Sequence, residues 1–302
     1  MMIKYERPTS HAAHWARRIA RFAFGLLAAV LLAHRFGPLT TPHFVALAVF
    51  SAGLAALAVV LAAIGFVRLW QVAAVGGVAS FVALLYAAIP IGAAGFALNQ
   101  YFSRPAIYDV STDTVTPPPW IRLPAAVQGW LKRPATVTPE DREAQIAAYP
   151  ALTGRRYDGA LDRVYQGVKI VAEKTGIRIV DEEGVENARA DLEDMVVKPD
   201  DAAPADSEPG DVPIPLSRPQ TMPGDMSPGR RSSDIVLQGE WRTLIVGFRL
   251  DVLIRLREEA ETTFVDMRVA SRYGPHDLGF GAAFANQFLH ALDAELLGIA
   301  GD

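Results

Sequence analysis

Three apolar runs, roughly 19–33, 44–67 and 72–98, constrain this chain more than any other feature. The second and third hold no Asp, Glu, Lys, Arg or His, and each exceeds the ~20 residues with which a helix crosses a hydrocarbon core. The first is shorter and opens on Arg17, Arg18 and Arg21. A basic start before an apolar run has the form of a signal peptide. Two further runs follow it and no small-residue cleavage site ends it, so it reads as a true span. Thr41-Pro42 suits the start of the second helix. Pro90, near Gly92 and Gly95, predicts a kink in the third. Ser51, Gly53, Ala55, Gly76, Gly77 and Ser80 are small enough to let the helices approach closely.

Orientation follows from the flanking Lys and Arg residues. Lys4, Arg7, Arg17, Arg18 and Arg21 lie at or before the start of the first span, whereas the loop to the second holds only Arg35. The N-terminus is therefore expected in the cytoplasm, and everything after Leu98 in the periplasm of a Gram-negative cell, with the chain multi-pass in the inner membrane. Arg104, Arg122, Lys132 and Arg133 run against that asymmetry. A transporter needs ionisable groups at mid-membrane. Spans two and three have none, which points to a helical anchor. A net charge of −4 gives no global basic field for nucleic acid. The absence of cysteine removes thiolate chemistry and Cys-based metal sites.

After this 1–100 transmembrane region, residues 101–148 are rich in proline, as in "TVTPPPW", and read as an extended linker. Trp120 and Trp130, beside Lys132 and Arg133, either rest at the bilayer surface or pack on the soluble domain. Residues 149–302 read as an α+β domain. Leu161, Val164, Val168 and Val171 recur at helical spacing before a Gly176 stop. "IRIV" (177–180) reads as a strand, "ARADLEDMVV" as its possible continuation, and about 198–233 as a disordered insertion poor in apolar residues. Strands follow in "DIVLQGEWRTLIVGF", "RLDVLIRLR" and "TTFVDMRVAS", then a helix from Leu278 to Leu297 with Phe280, Phe284, Phe288, Leu292 and Leu296 on one stripe.

The last two strands are predicted to pair with Arg257 opposite Thr262, which sets Leu250 opposite Val269, Val252 opposite Met267 and Ile254 opposite Val265. These apolar residues then share one face. Asp251 would lie opposite Arg268, and Arg255 opposite Phe264, on the other. A one-residue slip would mix both faces. The fold class is thus a three-span α-helical transmembrane part followed by an α+β domain, its antiparallel sheet covered by helices on one face.

The stretches "YPAL" (149–152), "GFRLDVLIRL" (247–256) and "VDMRVASRYGPHDLG" (265–279) resemble the domain of unknown function 1499 family. "DVSTD" (109–113) before prolines is similar to the linker of its bacterial membrane-anchored members. Two features depart from the family pattern: Leu250-Asp251 stands where the family often has two aspartates, and the insertion is longer. The resemblance implies a membrane-anchored envelope protein and supplies no activity.

Local chemistry is sparse. His276 and His290 are the only histidines of the soluble part and lack metal-ligand spacing, so neither metal nor cofactor is expected. Ser271, His276 and Asp277 are the residues a hydrolase reading would need, without a nucleophile elbow to support it. The one charged constellation is Asp251, Asp266, Arg268, Arg272 and Asp277. On an open sheet face, Arg268 and Arg272 would act as fork donors to a phosphate or carboxylate; the plain alternative is a set of cross-strand ion pairs. Asp277 also suits an N-cap, and Gly274 a corner of positive φ. Expected partners are the bilayer and an envelope protein or lipid bound by the periplasmic domain. An alternative is a carrier holding a lipid or small apolar ligand beside the Phe-rich helix.

Overall fold

The computed structural model describes residues 8–72, 74–188, 233–259 and 262–298. Three helices come first: α1 (His11–Phe36), α2 (Thr41–Val72) and α3 (Gly77–Ser103), each long and apolar enough to cross a membrane. Ser10 caps α1 by accepting from the Ala13 amide, and α2 starts at Thr41 with Pro42 in its first turn. Helix α3 continues through Pro90. Lipid offers no hydrophobic drive for helix association, so close packing of small residues must supply it. A buried alanine seam does so, with Ala16, Ala20 and Ala23 meeting Ala55, Ala58, Ala62, Ala83 and Ala87. Ser51 adds a hydrogen bond to the Ala23 carbonyl at 2.8 Å. Gly53, expected in the seam, instead faces open space, as do Gly92 and Gly95.

Among the described residues that follow, six strands form one antiparallel sheet: β1 (Asp109–Ser111), β2 (Arg155–Asp158), β3 (Arg178–Glu183), β4 (Ile235–Arg242), β5 (Arg249–Glu259) and β6 (Thr262–Ser271). The order is β1-β6-β5-β4-β3, and β2 also pairs with β6, beyond β1. Helices α5 (Leu161–Thr175) and α6 (Phe280–Leu296) cover one face. Val164, Val168 and Val171 of α5 and Phe284, Phe288 and Leu292 of α6 meet Val252, Ile254, Val265, Met267 and Val269 in a single core. Burying each such side chain is worth about 1.5–3 kcal/mol. Gly176 ends α5 in the left-handed region that a glycine occupies without strain. Trp241 stacks on Phe284 with ring centroids 3.9 Å apart.

The β5–β6 hairpin keeps the expected faces but in a different register. Glu259, not Arg257, pairs with Thr262, so every partner moves by two: Val252 faces Val269, Leu253 faces Arg268, and Arg255 faces Asp266. A shift of two leaves the pleat unchanged, and apolar matching alone does not distinguish the two registers. Placing a guanidinium opposite a carboxylate does.

The linker also departs from expectation. It supplies β1, and helix α4 (Pro139–Ala148) starts on a capping box in which Thr138 and Asp141 satisfy each other's backbone amides. The segment between them lies across the sheet face opposite the helices. Residues 189–232, which include nearly all of the expected insertion and of "ARADLEDMVV", lie outside the described residues.

Candidate functional site

The second sheet face is built from the outward positions of three adjacent strands: Gln238 and Glu240 of β4, Asp251 and Arg255 of β5, and Asp266 and Arg268 of β6. Charges on such a face need water or partners, because leaving one buried and unpaired is expensive. Here the linker supplies partners. Arg255, with 0% of its surface exposed, donates through Nε (3.2 Å) and Nη2 to Oδ2 of Asp266, also 0% exposed. Its remaining donors reach Asp113 (3.0 Å) and the Thr116 carbonyl (3.3 Å). Thr112 donates to the other oxygen of Asp266 and accepts from the Met267 amide. Gln238 pairs with the backbone of Arg122 in both directions, at 2.8 and 3.0 Å. Arg133 reaches the Ser271 carbonyl at 2.9 Å.

The five predicted residues divide accordingly. Arg268 makes a fork to Asp109 (3.0–3.1 Å), donates to the Pro118 carbonyl, and lies over the Trp120 ring. Arg272 makes a fork to Asp251 (2.9 and 2.6 Å) and also reaches Glu240. Asp251 and Arg272 are thus brought together, while Asp266 belongs to Arg255 and Arg268 to Asp109. The face expected to be open is covered, and the fork donors expected for a ligand are engaged within the chain. Asp277 stands apart from this face. Its two oxygens accept from the amides of Gly279 and Gly281 at 2.8 Å, so it caps α6, which begins at Phe280 rather than Leu278. Leu278 and Gly279 both take positive φ, at 57° and 78°, to make that approach. Gly274 has the expected positive φ of 71°.

Electrostatics follow the partners. Burial opposes ionisation of Asp113 and Glu240. Hydrogen bonds from Thr116 and Arg255, and from Arg272 with Arg178, outweigh it and hold both carboxyls below their ordinary range. The Asp251 fork holds the Arg272 guanidinium above its ordinary value. Burial pushes Asp277 up, against the pull of its two backbone donors.

Ser271, His276 and Asp277 do not assemble as a catalytic unit. The Ser271 hydroxyl donates to the Tyr273 carbonyl, and His276 Nδ1 accepts from the Leu278 amide. His276 Nε2 faces the carbonyls of Tyr101 and Arg104, and its ring stacks on Tyr101. Among the described residues no three His, Cys, Asp or Glu side chains converge as metal ligands.

Sequence reasoning passed over a junction. Helices α1, α2 and α3 meet the domain at one end of the bundle, where His276 receives the end of α3. The turn between β4 and β5, residues 243–248, sits on α1 and α2. His34 Nδ1 bonds the Val246 carbonyl at 2.8 Å, His34 Nε2 bonds Thr41, and Arg35 Nε donates to the Leu244 carbonyl at 3.3 Å. Phe248 packs edge-on to His34 and Phe44. Trp130 donates to the Pro42 carbonyl, so the two linker tryptophans separate: Trp120 lies on the domain and Trp130 on the start of α2. Beside this junction opens a cleft of about 540 Å³, lined by Arg35, Arg178, Glu240, Trp241, Arg242 and Gln287 among others. The only sequence signal for it was a histidine-arginine pair between two apolar runs.

The family model described as "Protein of unknown function (DUF1499)" matches residues 109–292. Comparisons with curated proteins and with solved structures found no match.

Proposed function

We propose that this chain, which belongs to the DUF1499 family of proteins of unknown function, is a multi-pass inner-membrane protein that holds a periplasmic α+β domain against the membrane surface. The domain acts as a docking site for an envelope component and not as an enzyme. The observation that carries this reading is the junction cleft, whose wall is shared between Arg35 of α1 and the Arg178, Glu240 and Arg242 strand ends. A site built jointly by a membrane helix and a soluble domain suits something that lies at the membrane. The charged second face serves as the lock between linker and sheet. Cytoplasmic placement of the N-terminus rests on the basic residues around the start of α1.

A carrier with an apolar ligand between sheet and helices is disfavoured, since Phe284 and Phe288 are packed into the core there. Two measurements test the docking reading. Alkaline phosphatase fused after residue 302 should be active. A photo-crosslinking amino acid at Gln287, in the cleft, should capture an envelope protein or lipid that the same group at Glu143, outside the cleft, does not. An inactive fusion contradicts the orientation, and equal capture from both positions contradicts the site.

A further inference from the structure

The turn between β4 and β5 carries the most exposed apolar pair of the domain's sheet. Leu244 is 83% exposed and Ile245 is 74% exposed. This is not a loose loop. The buried Thr243 hydroxyl accepts from the amides of Gly247 and Phe248, the Thr243 amide donates to the Phe248 carbonyl, and Gly247 takes a φ of 83°. The turn therefore presents two aliphatic side chains rigidly. Its position is fixed by the bonds from His34 and Arg35, in the last turn of α1. That is also a natural membrane boundary. Phe36 and Phe102 are exposed at this end of α1 and α3, and Trp15 and Trp70 are exposed at the opposite end of the bundle. Trp15 and Phe36 lie about 30 Å apart along α1, the thickness of a hydrocarbon core. Aromatic residues favour both such boundaries.

Directly behind the apolar tip the charge is positive. Arg242 pairs with Arg249 across β4 and β5, a like-charge opposition that destabilises a sheet unless something else neutralises it. Both are exposed, and neither has a carboxylate partner among the described residues. Partial desolvation of its guanidinium, with the nearby charges of Arg249, Arg35 and Arg178 and against that of Glu240, holds Arg242 below its ordinary value. Glu240, the acidic residue lining the cleft, is already shared by Arg272 and Arg178. Apolar side chains at the tip with uncompensated guanidiniums behind them match the order of a leaflet, acyl chain first and phosphate second.

We infer that Leu244 and Ile245 enter the leaflet on the domain side, and that Arg35, Arg242 and Arg249 hold the phosphate of an anionic phospholipid headgroup. This rests on the docking reading above and names the ligand class of its membrane-facing edge. Arginine suits the task because its planar fork engages phosphate bidentately.

The test uses the full-length protein in nanodiscs of phosphatidylcholine, with and without phosphatidylglycerol, and no other protein. The native chain has no cysteine, so Ile245→Cys carries an environment-sensitive dye at one position. Burial of the dye from aqueous iodide, with quenching by a lipid-borne quencher, is the expected result; free access of iodide overturns the insertion. Native mass spectrometry should show retained phosphatidylglycerol in preference to phosphatidylcholine. R242Q/R249Q should weaken that preference about 25-fold, about fivefold for each arginine near an anionic surface. Both positions are exposed, and a cooperative unfolding curve with a midpoint no lower than that of the parent chain confirms that the variant is folded. Equal retention of both lipids, or displacement of phosphatidylglycerol by inorganic phosphate, overturns the headgroup assignment. Because no partner or sidedness enters this experiment, its failure leaves the crosslinking test at Gln287 standing, and the reverse also holds.

Discussion

Arg255 and Asp266 face each other across the adjacent interior strands β5 and β6, each wholly buried, and the linker closes over them. Breaking a buried pair by removing one partner leaves an uncompensated charge and costs about 3–5 kcal/mol. Asp266→Asn should destabilise the chain by that order. Replacing both residues with apolar ones of similar volume should cost less than the sum of the single changes. Chemical denaturation of Asp266→Leu, Arg255→Met and the variant carrying both checks this; additive costs would show that the pair is not coupled.

Asp109 is a hub at the sheet edge, accepting from both Arg142 and Arg268. Asp109→Ala should release α4 and the segment over the second face together. Limited proteolysis should then cut between residues 112 and 134, a stretch in which the wild-type chain should stay intact under the same conditions.

Asp277 holds the first turn of α6 through two backbone amides. Its replacement by alanine should cost about 1 kcal/mol, read as a lower denaturation midpoint. If the residue were instead a general acid or ligand contact, stability would be unmoved.

Glu240 and Asp113 are both held below their ordinary range. A carboxyl depressed in the folded state contributes stability above the unfolded value, ~4.3 for Glu and ~3.9 for Asp, and loses it as pH falls through the folded value. Unfolding measured from pH 6 downward should therefore show an acid loss, with pH 6 itself about two units above those values. Glu240→Gln should flatten that slope. An unchanged slope would mean that Arg272 and Arg178 do not stabilise the ionised form.

How much of this was legible depends on what each signal measures. The three spans rest on uninterrupted apolar length, α5 and the Phe stripe of α6 on the apolar periodicity that burial enforces, and all appear about where the sequence put them. The hairpin faces were legible for the same reason. Its register was not, because a shift of two exchanges a Leu250–Val269 pair for Leu256–Val265 and leaves the number of apolar pairs unchanged, so only Arg255 with Asp266 decides it. Strand β1 has three residues and β2 reads Arg-Arg-Tyr-Asp, too short and too polar to stand out. Helix α4 did carry a signal in Thr138-Pro139-Glu140-Asp141, obscured by the surrounding prolines. The charged constellation was found, but its partners Asp109, Asp113 and Arg255 were missed. A covered face and an open one look alike when the covering segment is read as coil.

The account depends most on the domain being seated on the helix ends and not swinging on a free tether. Arg35 Nε lies 3.3 Å from the carbonyl of the exposed Leu244, which puts the two side-chain positions within reach of a short bifunctional thiol reagent. In a chain without native cysteine, R35C/L244C in membranes should be bridged within one chain, seen as the mass of a single reagent molecule with both thiols consumed. A folded double variant whose two thiols each take up a separate reagent molecule would contradict the account.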